Sequence, residues 1–490
     1  MGPSNAASLI VEPRLSRVDR SQPPGRARVF VPRLTAALVA GKGAGMLSRL
    51  LRRGDGTSLP GVVARKVDPR ILESLVRRTG MPAIVITGSN GKTTTGRFVT
   101  ALLKAEGIDA RSNAAGANLA QGVTALAVRD SDLLGRLADG LLVAEVDEGA
   151  LRQIVPELAP RAVVVLDLFR DQLDRYGELQ AVAEAIEAIA NLLPSEAAWV
   201  VNADDPLVAS LAPERVGRRL TFGLDLDRST DRITRAADSI RCPKCRSDLA
   251  YDRVFLSHLG VYSCPSCGFS RPPLDVAVTA LDFAGINETR LVVRLLSMEL
   301  KLSVPQSGVH IAYNVAAALA TMMALELAPV QAPSALAAVG PAFGRLELVR
   351  AGDKRIVLSF VKNPTSYNTT LRTLAVEGEP RHLLIAASST PVDGEDFAWL
   401  WDVDFEAVAS QLERVTVCGT RAQELANRLK YGGVDPSLIT ILEAPRQALD
   451  IALAGLDTGG RLTVLAGYTP TIELRNLMHQ RGWVGPLRDA

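Results

Sequence analysis

Histidine, cysteine, net charge and long hydrophobic runs are all in short supply in this sequence, and each shortage removes a class of function. Four histidines (His258, His310, His382, His479) in 490 residues leave little room for imidazole catalysis by the chain alone. Of five cysteines, four fall in two Cys-x-x-Cys pairs, which suits a metal site in a reducing compartment better than disulfides. A net charge of +2 exerts no general pull on nucleic acid, and none is expected as a partner. No apolar run approaches the ~18 residues a bilayer span needs, and the N-terminus lacks the hydrophobic region of a signal peptide. A cytoplasmic location is the resulting expectation.

What the sequence does have is apolar residues for real cores, 47% of the chain, over a length that suggests about three domains. Its organising stretch is Ile84-Val-Ile-Thr-Gly-Ser-Asn-Gly-Lys-Thr-Thr-Thr95, a β-branched run that breaks at Gly88 and resumes as a helix after Lys92. This reads as a phosphate-binding loop. Gly88 and Gly91 let the backbone N–H groups of the turn, Asn90 among them, face inward, and Lys92 can reach terminal phosphates. The Thr93 hydroxyl is placed to hold Mg²⁺, with Thr94 beside it in the first helical turn. The loop is short, with only Ser89 and Asn90 between its glycines and Ile86 where the usual first glycine would stand. The plainer alternative is a glycine-containing strand-to-helix turn with no ligand.

Residues 1 to about 32 mix Pro, Ser and Arg without periodicity and are expected to form a disordered basic extension. Arg33 to Arg53 reads as a helix that either docks on the next domain or touches anionic lipid. Gly54 to Gly61 reads as a loop and Asp68 to Arg78 as a further helix. From Ala83 to about Gly223 strands and helices alternate as in a doubly wound sheet, with strands at Ala83–Thr87, Gly140–Val146, Ala162–Leu168 and Ala198–Asn202. Acids gather where these strands end: Glu145, Asp147 and Glu148, then Asp167, Asp171 and Asp174, then Asn202, Asp204 and Asp205. Ligands of open α/β sheets sit at the carboxyl ends of strands, so these groups should converge near the loop and its Mg²⁺, unless they form only a solvated cluster.

Cys242-Pro-Lys-Cys245 and Cys264-Pro-Ser-Cys267 form two knuckles at zinc-ribbon spacing, an insertion over about 240–270. Four thiolates would close a tetrahedral Zn²⁺ site with no open position, so the ion should be structural; a redox Cys-x-x-Cys is the alternative. A second alternating pattern begins near Arg355, with strands near Ile356–Val361, His382–Ala387, Arg414–Cys418, Leu438–Leu442 and Leu462–Ala466. That divides the chain into a central domain over 33–345 and a Rossmann-like C-terminal domain over 346–490.

These residues together resemble the Mur ligases, ATP-dependent enzymes that join an amine to a carboxylate of a cell-wall precursor. Thr87 to Thr95 and Asn202-Ala-Asp-Asp205 are similar to that family's loop and nucleotide motif. Gly116-Ala-Asn118, Glu145-Val-Asp-Glu148, Phe169 to Gly177, the four-cysteine ribbon, Lys362-Asn-Pro364 and Trp401-Asp-Val-Asp-Phe405 resemble its MurT branch, from about residue 33 to the C-terminus. The resemblance implies a Mur-ligase-type α/β fold and amidation of the D-glutamate α-carboxylate of the lipid II stem peptide, through an acyl phosphate made with ATP. It implies Thr93 and Glu145 on Mg²⁺, Lys92 and Arg345 on the phosphates, and Asn202 and Asp205 on the nucleotide side.

It also implies a heterodimer with a GatD-like glutaminase, whose Cys-His pair Asp396 would complete, and a peripheral place at the inner membrane face through the lipid-linked substrate. The chain departs from the family at Asp167 and Ile311, where asparagine is usual, and at Ser388-Ser-Thr390, where an Asn-Asp pair is. No lysine occurs between Ile154 and Pro243, so the carbamylated lysine of other Mur ligases has no counterpart. An amino-acid-adding Mur or folylpolyglutamate-type ligase and a non-catalytic nucleotide-binding scaffold are the competing readings.

Overall fold

The computed structural model describes residues 31–50, 58–113, 117–137, 139–170, 179–211, 217–232, 238–284, 288–341, 344, 346–376, 381–390, 393–394 and 396–485. Residues 1–30, where most of the expected extension falls, lie outside that set, as do Gly116, Asp171, Asp174 and Arg345. Pro32 already opens the first helix, α1 (Pro32–Leu50).

Strand β1 (Ala83–Thr87) is buried at all five positions. A run of Ile and Val with no polar alternation is what a parallel strand covered on both faces requires. It pairs in parallel with β3 (Leu141–Glu145) on one side and β4 (Ala162–Val165) on the other. Beyond these lie β2 (Ala110–Ser112), β5 (Ala198–Asn202) and β6 (Arg218–Leu224). The alternating β/α pattern does not anticipate the far edge of this sheet. Strands β9 (Val276–Phe283), β10 (Thr289–Leu295) and β11 (Met298–Val304) add an antiparallel meander there, in the order β11-β10-β9-β6-β5-β4-β1-β3-β2. Burial on β10 alternates, with Leu291, Val293 and Leu295 inside and Arg290 and Arg294 outside, the signature of a strand with one wet face.

One face of this sheet is covered by α4 (Lys92–Ala105) and by the helix Val309–Ala324, in which Ile311 through Met323 are all buried. The other is covered by α1, α2 (Leu59–Val67), α3 (Ile71–Thr79), α5 (Ala120–Asp130) and α6 (Leu151–Leu158). Helix α1 docks here through Leu34, Ala37 and Leu38, leaving Val39, Met46 and Leu47 exposed. Helix α2 starts at Leu59, inside the stretch read as a loop, because Pro60 sits at a helix N-terminus where its missing N–H costs nothing. Gly61 is the contact point with α5: a Cβ there would stand 1.8 Å from the Gln121 carbonyl oxygen. Among the described residues no helix is long and apolar enough to cross a membrane.

A second sheet starts at β12 (Glu347–Ala351) and contains β13 (Lys354–Phe360), β14 (His382–Ala386), β15 (Arg414–Cys418), β16 (Ile439–Leu442) and β17 (Arg461–Ala466). Its order is β12-β13-β17-β14-β15-β16, parallel except for the β12–β13 hairpin, with a separate core on each face. Strands β7 (Ala250–Leu256) and β8 (Leu259–Ser263) form an antiparallel hairpin of their own.

Candidate active site

The phosphate loop connects β1 to α4 at the point where the chain leaves for β3 on one side and β4 on the other, the place where open α/β sheets hold ligands. Gly91 has φ +82°, and a Cβ on it would meet Asn314 Oδ1 at 2.2 Å, so glycine is required both for the turn and for the approach of the neighbouring helix. Gly88 also has positive φ. The Lys92 ammonium folds back onto the Gly88 carbonyl and lies 3.5 Å from Glu148 Oε1. Thr93 Oγ1 donates to Glu145 Oε2 at 2.7 Å, and Thr94 is buried beside the loop.

Glu145 is itself fixed by a residue that the sequence motifs do not mark. Asn113 accepts the Glu145 N–H at 2.8 Å and donates to the Glu145 carbonyl at 2.9 Å, so the end of β3 cannot drift. On the opposite side, Asp167 accepts from the loop twice: its carbonyl takes the Ser89 N–H at 2.8 Å and its carboxylate the Asn90 N–H at 2.8 Å. Burial pushes the Asp167 carboxyl up, to about 7; the Asn90 N–H opposes this and the nearby Asp205 adds to it.

Asn202 and Asp205 do not line the cleft that opens beside the loop. Both are buried and spent on closing turns: Asn202 Oδ1 accepts the Asp204 N–H at 3.0 Å, and Asp205 caps a short helix at Leu207 and Val208 while accepting the Leu168 N–H at 2.9 Å. Asp204, between them, accepts from Tyr313 Oη at 2.8 Å and pairs with Arg271 at 2.7 Å; burial raises its pKa to about 6 against the pull of that arginine. His258, a residue without a recognisable motif, is wholly buried 3.4 Å from Asp205 Oδ2 with its ring against Phe169. Burial disfavours its charged form, but the Asp205, Asp238 and Asp167 carboxylates together outweigh this and its pKa is raised.

A cleft of about 390 Å³ opens between the loop and the second sheet, lined among others by Asn90, Asp167, Ile311, Asn314, Phe360 and Thr369. Ile311 offers it an apolar wall with no hydrogen-bonding group. Across the cleft Asn363 donates to Asn90 Oδ1 at 3.2 Å, so the two halves meet on the phosphate loop. Asp396 is elsewhere. It is exposed, accepts the Ala398 N–H at 2.8 Å, and borders a surface hollow of about 330 Å³ with Trp401, Arg421 and Asn427.

The four cysteine sulfurs lie within 4.8 Å of one another, with Cys242–Cys267 at 3.5 Å and Cys245–Cys264 at 3.4 Å. A tetrahedral zinc with Zn–S bonds of about 2.3 Å needs sulfurs about 3.8 Å apart, so the cluster fits that ion. The fifth cysteine, Cys418, is buried at the end of β15, and burial pushes its thiol up to about 12.

Residues 360–471 match the family described as MurT ligase C-terminal, and residues 86–247 match the Mur ligase middle domain. The chain is 30% identical over 450 residues to the lipid II isoglutaminyl synthase (glutamine-hydrolyzing) subunit MurT of Streptococcus pneumoniae, covering 91% of this chain and 97% of that protein. Among solved structures it is similar to a pseudomurein peptide ligase type C from Methanothermus fervidus, with TM-score 0.63 and 20% identity over 83% of this chain and 80% of that one. The MurF ligase of Thermotoga maritima in complex with ADP is similar at TM-score 0.60 and 16% identity, over 85% and 84% of the two chains. At these identities the structural likenesses speak for the Mur-ligase-type α/β fold alone.

Proposed function

The chain belongs to the MurT family of lipid II isoglutaminyl synthase ligase subunits, and from that premise we propose the chemistry its residues carry out. The reaction is amidation of the D-glutamate α-carboxylate of the lipid II stem peptide during peptidoglycan synthesis. A carboxylate is unreactive toward ammonia at neutral pH. Its oxygen therefore first attacks the γ-phosphorus of ATP, breaking the bond to ADP and giving an acyl phosphate. Ammonia then adds to the acyl carbon, and the tetrahedral intermediate loses phosphate and a proton to leave the amide.

Phosphoryl transfer asks the protein for positioning and for positive charge where negative charge builds. The loop N–H groups other than those of Ser89 and Asn90, which Asp167 holds, supply part of this together with the dipole of α4, and Lys92 the rest by exchanging Glu148 and the Gly88 carbonyl for phosphate oxygens. Thr93 and Glu145, oxygen donors 2.7 Å apart, would hold Mg²⁺, which when bound neutralises phosphate charge. Cys242, Cys245, Cys264 and Cys267 would hold a structural Zn²⁺. Arg345, outside the described residues, is proposed to approach the phosphates. Asn202 and Asp205 act from beneath, by bracing the strand ends. ADP in a ligase of the same fold supports ATP as the nucleotide.

The chain is proposed to borrow its ammonia from a GatD-like glutaminase partner. A glutaminase needs a thiolate paired with histidine, and Cys418, the one cysteine outside the cluster, is buried with its thiol held protonated. Asp396, exposed at its hollow, would orient the partner's imidazole.

The observation that carries the reading is the pairing of Thr93 with Glu145 beside Lys92 at the loop, in a chain that matches a MurT subunit over 97% of that protein's length. Lys92→Ala should remove most lipid II amidation driven by free ammonium salt, because it deletes charge better matched to the transition state than to the ground state. Near-normal turnover of that variant would sink the assignment.

A further inference from the structure

The ribbon hairpin is built the wrong way round for a surface ornament. The cysteines stand at its open end, and its tip, where β7 turns into β8, is the end that is buried: Phe255, His258 and Leu259 are fully inside. A hairpin tip is ordinarily the wettest part of a protein, since burying a turn strands backbone polar groups. Here they are answered. The Ser257 N–H, at a residue with φ +55°, donates to Asp231 at 2.8 Å, the His258 carbonyl accepts from Tyr251 Oη at 2.9 Å, and the Gly260 N–H donates to the Asp204 carbonyl at 2.9 Å.

What the tip presses on is the segment Asp167-Leu168-Phe169. The His258 ring sits 4.6 Å from the Phe169 ring, and its Nε2 is 3.4 Å from the Asp205 oxygen that also accepts the Leu168 N–H. That segment is tied in turn to the phosphate loop by four hydrogen bonds. Ser89 Oγ accepts the Phe169 N–H at 2.9 Å and donates to the Phe169 carbonyl at 3.0 Å, while Asp167 takes the Ser89 and Asn90 N–H groups at 2.8 Å each. The contacts thus run unbroken from hairpin to loop, with His258 as the link between the two.

We infer that the ribbon is a strut for the phosphate loop and that His258 is its positioning residue, holding Asp167–Phe169, and through them Ser89 and Asn90, where a nucleotide's phosphates meet the loop. The inference rests on the proposed ATP-binding role of that loop, but its tests read nucleotide binding and local opening rather than amidation.

Two variants of the full chain separate packing from the polar contact. His258→Phe keeps a ring against Phe169 and loses the group facing Asp205; His258→Gln loses the ring and keeps a donor. With zinc content and melting temperature as controls, His258→Phe should bind ATP about tenfold more weakly and His258→Gln should recover most of that loss, the scale expected of directly coupled neighbours. ATP affinity of His258→Phe equal to that of the unaltered chain would overturn the inference. So would a His258→Gln as weak as His258→Phe. Should either variant fail to fold, hydrogen exchange of the unaltered chain before and after zinc removal by a chelator gives the answer. Faster exchange at the Ser89 and Asn90 amides after chelation is the expected result, and unchanged protection there overturns the strut. A chain that binds ATP but amidates nothing would refute the proposed function and leave this inference standing.

Discussion

Single residues in this chain sit in environments that contradict their usual chemistry. Asp167 is the sharpest case. Its folded pKa of about 7 lies above the ordinary 3.8, so folding favours its protonated form. That contribution is complete below about pH 4, shrinks as pH rises, and is gone once pH passes about 7. Asp167→Asn keeps an oxygen for the Asn90 N–H and removes the titration. Its melting temperature should therefore rise relative to the unaltered chain between pH 4 and 7 and stay level above, a gain on the order of 1 kcal/mol or more. Parallel melting curves across that range would show that the carboxyl is not protonated in the fold. Ile311 belongs to the same scale. If the apolar wall it gives the cleft has removed a base contact, Ile311→Asn should tighten ATP binding by ~1 kcal/mol, the net value of one hydrogen bond. An unchanged preference for ATP over GTP would place the base elsewhere.

At the scale of elements, the strand-loop-helix at Ala83–Ala105 is legible in the sequence because its features are local: a fully buried β-branched run, two glycines forced by positive φ, then a lysine opening a helix. The strands β13 to β17 of the second sheet are legible for the same reason, whereas β12, the antiparallel edge strand, lies ahead of the alternating pattern and is missed. In the meander from Val276 to Val304, β10 and β11 carry the period-two signal openly, but they follow a parallel pattern and depart from it, so the meander is not anticipated from that pattern. Asn113 and His258 carry no local signal at all, since what they do depends on partners 32 and 53 residues away in the chain. For Asn202 and Asp205 the motif points to the nucleotide side, whereas their hydrogen bonds run into the fold beneath.

Two substitutions test elements rather than single groups. Gly91→Ala would put a methyl 2.2 Å from Asn314 Oδ1 at a φ of +82°, a strain of about 1–2 kcal/mol before any clash, so nucleotide binding measured by titration should fall while α4 stays helical by circular dichroism. Cys242→Ser should release about one Zn²⁺ and lower the melting temperature, because a closed thiolate site contributes folding free energy. Full metal stoichiometry in that variant would refute the structural assignment.

At the scale of the whole molecule, two sheets meet at the phosphate loop through Asn363 and Asn90, while Asp396 faces outward at a different hollow. That separation lets the ammonia source and the ligase site be tested apart. With the proposed glutaminase partner present, Asp396→Asn should abolish glutamine-dependent amidation and leave ammonium-driven amidation intact. A fall in both would move Asp396 into the ligase site or the fold. Whether the chain activates a carboxylate as an acyl phosphate before ammonia arrives can be read from the fate of the carboxylate's own oxygen. Lipid II carrying heavy oxygen in the D-glutamate α-carboxylate should, on complete amidation with ATP and ammonium, pass one labelled oxygen to the inorganic phosphate and keep the other in the amide; amide formed with no label in the phosphate would contradict the account.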